Sequence, residues 1–143
     1  MKKVFFTIKQ AGIFCISIFI GGAVNMSFIR ISGKIIPPPP GSNLQTTEGL
    51  VKAMHLMGPE HFLFPFLAHA FGTFVAAILV SKYCNLWSKA AAYSVAGLFF
   101  IGGLMMVLVL PSPLWFTFTD LILAYFPMAF LALKMSKPLK SKL

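Results

Sequence analysis

Four apolar stretches, each close to 20 residues long, fill most of the 143-residue chain: Ala11–Ile29, Phe62–Val80, Ala90–Leu110 and Leu114–Leu133. Asp120 is the one Asp, Glu, Lys or Arg inside them. The hydrocarbon core of a bilayer is about 30 Å thick, and a helix rising 1.5 Å per residue needs roughly 20 residues to cross it. The chain therefore reads as an integral membrane protein with four spans. Backbone polar groups in lipid must be satisfied within the segment, so the spans are helices. A β-barrel is excluded, because barrel strands alternate apolar and polar residues and these runs are continuous. The predicted fold is all-α, a four-helix transmembrane bundle that forms a single membrane domain over residues 1–143. The chain left outside the spans is too short for a second domain.

The net charge of +9 raises the question of nucleic acid, and the placement of the charges answers it. With the N-terminus in the cytoplasm, Lys2, Lys3, Lys9, Lys82, Lys89, Lys134, Lys137, Lys140 and Lys142 all fall on the cytoplasmic side. Only Arg30, Lys34 and Lys52 fall outside, on the longest loop. Positive residues resist translocation, so both termini are expected in the cytoplasm of a bacterial inner membrane. The expected partners are the lipid bilayer and its anionic headgroups at that face, not nucleic acid. Cys15 and Cys84 form no CxxC pair and sit in different settings, which argues against a disulfide or thiol-redox role. The N-terminal segment resembles a secretory signal, and Gly21-Gly22-Ala23 is a tolerable cleavage site. Its apolar run exceeds the 7–15 residues typical of a signal. A retained helix is therefore the favoured reading.

Within the first helix, expected over about Thr7–Phe28, Ser17, Gly21 and Asn25 recur every four residues and share one face. Small residues let helices approach closely in lipid, and Asn can hydrogen-bond across the contact, so this face is expected to look inward. The outer loop carries Pro37–Pro40, an extended polyproline II spacer of about 12 Å. After it, Thr46 or Thr47 can cap a short helix whose first turn holds Glu48. Leu50, Val51, Met54 and Met57 line one side, which makes it an amphipathic helix on the membrane surface or on the bundle top. In the second span Ala68, Gly72 and Ala76 repeat at four-residue spacing beside His69, Thr73 and Ala77. This is the strongest packing signal in the chain. The third span adds Ser94 and Gly97, then Gly102-Gly103, and Pro111-Ser112-Pro113 forces it to run antiparallel beside the fourth. The fourth carries Thr117, Asp120, Ala124 and Pro127 on one side, with Tyr125 nearby. No repeat relates the two halves, so the inverted-repeat transporter pattern finds no support.

His69 and Asp120 are the His and Asp placed well inside the spans. A carboxylate at mid-membrane costs about 2.5–3.5 kcal/mol on insertion scales and is seldom left facing lipid. Both spans run from outside to inside. Counted from Glu60 and Ser112, both residues lie about 12–14 Å below their helix starts. They can therefore meet at one level, and Asn25, Thr73 and Thr117 are the polar residues able to extend the network. The pair reads in two ways: as a proton, cation or quinone-headgroup site, or as a hydrogen bond that locks the helices together. His55, Glu60 and His61 cluster near the outer surface, but their spacing matches no metal-ligand motif, and no metal is assigned. His69 is alone in the spans, so a bis-histidine haem would need a dimer. No GxSxG, HExxH or P-loop pattern is present.

His69-Ala-Phe-Gly-Thr73, Leu110-Pro-Ser-Pro-Leu-Trp-Phe116, Asp120-Leu, Tyr125-Phe-Pro-Met-Ala129 and the proline run over Ile36–Gly41 resemble short four-helix inner-membrane proteins of Bacteroidota-type bacteria. The resemblance spans most of residues 20–133 and carries no activity with it. The topology alone is also similar to DoxX-like membrane proteins, some of which are quinone-linked oxidoreductase subunits.

Small size, small-residue packing faces and the missing catalytic set point to a non-catalytic accessory or structural subunit of a membrane complex. It has no expected cofactor, and its expected protein partners are other membrane subunits or further copies of itself. Two alternatives stay open: a small proton-coupled transporter or permeation element built on His69 and Asp120, and a quinone-binding redox subunit.

Overall fold

The computed structural model describes residues 2–84 and 87–136, all of whose regular structure is helical. Lys137, Lys140 and Lys142 of the basic C-terminal tail lie outside the described residues. The elements are α1 (Lys2–Ile35), α2 (Thr47–Met54), a 3-10 turn (Pro59–Phe62), α3 (Leu63–Tyr83), α4 (Ser88–Val109), α5 (Leu114–Leu123) and α6 (Phe126–Met135). Four helical segments are long and apolar enough to cross a membrane: Phe6–Ile35, Pro59–Tyr83, Ser88–Val109 and Leu114–Met135.

Two of these differ from expectation. The first helix runs past Thr7–Phe28 at both ends, and its 34 residues make it about 51 Å long. No proline interrupts it before Pro37, which disfavours helical geometry in the residue ahead of it. Lys34 in the last turn suits the negative end of the helix dipole. The fourth span is not one helix. It breaks at Ala124 and Tyr125, between α5 and α6. Pro127 has no N–H to offer Leu123, and its ring crowds that carbonyl, so α5 stops at Leu123 and a new helix starts beyond it.

The loop helix α2 forms as its sequence suggests. Thr46 Oγ1 accepts from Gly49 N at 3.1 Å, and Glu48 pairs with Lys52 one turn on at 2.7 Å. The proline run ends at Gly41, whose φ of 79° lies in the left-handed region that only glycine enters without strain. His61 ties this loop to the entrance of α3. Its Nε2 lies 3.2 Å from Pro37 O and its Nδ1 3.3 Å from Gly58 O.

The bundle is organised around α3, which packs against α1, α4, α5 and α6. Its small residues set the spacing. A Cβ on Gly21 of α1 would stand 2.6 Å from Gly72 O and 2.7 Å from Ala76 Cβ. A Cβ on Gly72 would stand 2.9 Å from Gly21 O and 3.0 Å from Asn25 Cβ. The two helices therefore cross backbone to backbone at Gly21 and Gly72. Ser17, buried on the same stripe, satisfies its hydroxyl on Ile13 O at 2.7 Å. Ala68, Ala76, Ala77, Val80, Ala92, Val95, Ala96, Ala129 and Ala132 are all fully buried. Lipid tails are as apolar as these side chains, so close van der Waals fit rather than the hydrophobic effect holds such a core together. Gly97, grouped by sequence with the packing residues, has open space where a Cβ would stand. Gly103 makes the close approach on α4 instead: a Cβ there would collide with the Tyr125 ring.

Candidate functional site: a buried histidine, aspartate and tyrosine

His69 stands on α3 and Asp120 on α5, and both helices start at the end of the bundle that carries the α1–α3 loop and the 111–113 turn. The equal depth read from the sequence is matched by contact. His69 Nδ1 lies 2.9 Å from both Asp120 Oδ1 and Oδ2. When the carboxylate is ionised it only accepts, and the ring nitrogen then donates to both oxygens. Asp120 is 2% exposed, and the bundle interior supplies the donors that such a group needs.

A third side chain completes the cluster. The Tyr125 hydroxyl donates to Asp120 Oδ2 at 3.0 Å, and the tyrosine is 1% exposed. In an unbroken helix, residues five apart point about 140° away from each other, because each residue turns the helix by about 100°. Tyr125 reaches back to Asp120 because it lies outside both helices, at φ −118° and ψ −81°, as the N-cap of α6. The ring is clamped on every side. It stacks on His69 at 5.8 Å between centroids, meets Phe100 edge-on at 5.7 Å, and presses on the bare Cα of Gly103. The sequence placed Tyr125 beside the site but gave it no role. The available signal was Pro127 two residues later, since a proline in mid-span predicts a break.

The other polar residues expected here do not join the cluster. Asn25 packs its Cβ at the Gly21–Gly72 crossing, and its side chain makes no hydrogen bond among the described residues. Thr117 is half-buried one turn above Asp120 and likewise makes no side-chain hydrogen bond among the described residues. Thr73 is fully buried one turn below His69, and its Oγ1 has no hydrogen-bond partner among the described residues. His69 Nε2 also makes no hydrogen bond among the described residues, and the imidazole is 21% exposed.

Once the pair takes up one proton, the arrangement can hold it in two places. On His69, the ring carries hydrogen on both nitrogens and donates from Nδ1 to the ionised Asp120. On Asp120, the carboxyl hydroxyl donates to an unprotonated Nδ1 of a neutral ring whose hydrogen stays on Nε2. Tyr125 donates to the carboxyl group in both states. The basic residues divide between the two ends of the bundle. Cys84 Sγ at the foot of α3 approaches Gln10 O of α1 at 3.8 Å, so Lys9 and Lys82 share one end, while Arg30 and Lys34 lie at the other end of α1. Burial pushes the Cys84 thiol pKa up at that foot.

No protein-family model matches the chain, and neither curated proteins nor solved structures give a match.

Proposed function

We propose that the protein is a multi-pass protein of a bacterial inner membrane, with both termini cytoplasmic, and that it moves protons across that membrane. It acts as a small proton permeation element or proton-coupled transporter, with His69 and Asp120 carrying the proton. The observation that carries this reading is the His69–Asp120 contact at 2.9 Å inside a membrane-length bundle. Ionisable groups at such depth are costly and mark ion or proton pathways more often than lipid-facing surfaces. The broken fourth span adds support, because interrupted helices are tolerated in membranes where they are buried in protein or line a watery path. The division of lysines between the two ends supports the orientation.

The test is purified protein in liposomes loaded with a pH dye, with proton entry driven by a potassium diffusion potential. Wild type is expected to acidify the lumen well above protein-free liposomes, and Asp120→Asn to fall to that background. A wild-type rate equal to the background ends this reading. If Asp120→Asn lowers stability and leaves the flux unchanged, the cluster is a helix clamp alone.

A second reading, the accessory subunit, is favoured by α1. This helix packs along α3 and leaves its far side open, where Phe19, Gly22, Ala23, Met26, Ser27 and Arg30 line a shallow groove of about 530 Å³. An open face on the longest helix suits a neighbouring membrane subunit. Stable co-purification with another protein in mild detergent supports it, and a lone, fully extractable chain opposes it.

A further inference from the structure

Two unsatisfied features meet just below the cluster. The first is Thr73 Oγ1, the one fully buried side-chain N or O atom without a hydrogen-bond partner among the described residues. The second is the break itself. Ala124 N donates to Asp120 O at 2.9 Å, and the next backbone bond is Ala129 N to Tyr125 O at 3.0 Å. Between them the N–H groups of Tyr125, Phe126 and Met128 have no backbone partner among the described residues, and Pro127 has no N–H. The carbonyls of Leu121, Ile122 and Leu123 are likewise left without the donors that a continuing helix would supply.

These features lie at the same height. Ala70 clusters with Ala124 and Tyr125, and Ala77 clusters with Ala129 and Ala132. Thr73 lies between Ala70 and Ala77 on α3, which runs parallel to α5 and α6. Thr73 therefore lies near the level of the first turn of α6, one helical turn beyond His69 along α3. The break brings unpaired N–H groups at a helix start and unpaired carbonyls at a helix end to that level, so donors and acceptors are both on offer. The flanking side chains, Ala70, Ala77 and Ala124, are small.

We propose that Thr73 and this break form a water-binding site. Thr73 and the open backbone groups of the α5–α6 break hold at least one buried water there, and that water links the His69–Asp120 cluster to the inner side of the bundle. Buried polar groups in membrane proteins must find partners, and a water with two to four polar contacts is the smallest molecule that pairs donors and acceptors together. The water site stands on the Thr73 and backbone geometry. Its role in the proton path rests on the proposed function.

The test is hydrogen exchange in D2O by solid-state NMR on the full chain in bilayers, with Thr73→Val and Thr73→Ser beside wild type. The amides of Phe126 and Met128 are expected to exchange at least tenfold faster than that of Ala76, which is buried in continuous helix. Thr73→Val should slow them at least threefold, and Thr73→Ser should restore them. Phe126 and Met128 amides as protected as Ala76 overturn the site. So does a Thr73→Val variant more stable than wild type, the result expected if its hydroxyl is simply orphaned. Proton flux in the liposome assay separates the two proposals. Fast exchange together with a flux that Thr73→Val reduces supports both. Fast exchange with no wild-type flux keeps the water and removes the proton path.

Discussion

Removing the Tyr125 hydroxyl should have opposite effects in two backgrounds, and the sign follows from the geometry. In the wild type, Tyr125→Phe deletes a 3.0 Å bond to Asp120 and leaves the carboxylate with His69. Interhelical side-chain bonds in membranes average about 0.6 kcal/mol and reach about 1.7. Bonds to charged groups in proteins run about 1.5–3 kcal/mol. The expected loss is therefore about 1–2 kcal/mol. Asp120→Leu removes the acceptor and strands a hydroxyl on a tyrosine that is 1% exposed. A buried group left unpaired costs about 1–3 kcal/mol, and the lost His69 bond adds to that. In the Asp120→Leu background the hydroxyl has become a liability. Tyr125→Phe there should raise stability by about 1 kcal/mol, giving a coupling of about 2–3 kcal/mol across the cycle. Asp120→Asn should lose less than Asp120→Leu. The amide keeps one acceptor for Tyr125, and its NH2 can donate to His69 once the ring hydrogen moves to Nε2. The measurement is equilibrium unfolding in mixed micelles of non-ionic detergent and dodecyl sulfate, read by the fluorescence of the two tryptophans. Equal effects of Tyr125→Phe in both backgrounds would refute the reasoning.

Gly97→Ala should leave stability unchanged or slightly higher, since its Cβ meets open space. Gly103→Ala should lose about 1–3 kcal/mol in the same unfolding assay, because the Tyr125 ring must move. Cys84 should react slowly with a thiolate-selective reagent. Burial raises its pKa, so the thiolate fraction at a given pH falls below that of an ordinary cysteine. Labelling in the folded protein should climb with pH and reach half-maximum at a higher pH than in the dodecyl sulfate-denatured chain. A half-maximum at equal or lower pH contradicts the burial argument.

The α2 cap, the separate small-residue stripes holding Gly21 and Gly72, and the shared level of His69 and Asp120 were legible because each depends on residues at fixed spacing within regular elements; that the two stripes cross at Gly21 and Gly72 was not. A helix places every fourth residue on one face whatever surrounds it, and the rise per residue fixes depth. Gly97 and Gly103 show the limit of that logic. Both are glycines on an apolar helix, and only the position of a neighbouring ring distinguishes the one that must stay bare. The extra turns of α1 were missed because hydropathy marks where lipid ends, not where a helix does. Lys2–Gln10 and Arg30–Ile35 carry the basic residues of α1 and are helical all the same.

Hydropathy and charge placement by themselves determined that this chain has four membrane-length helices, which end carries most of its lysines, and that an imidazole and a carboxylate lie at one depth. Those quantities are sums or counts along the chain, independent of any neighbour in space. The tertiary structure alone decided that Tyr125 turns back onto Asp120. That outcome depends on the backbone path at Ala124 and Tyr125. There Pro127 forbids one hydrogen bond, and packing against α3 and α4 selects the conformation that replaces it.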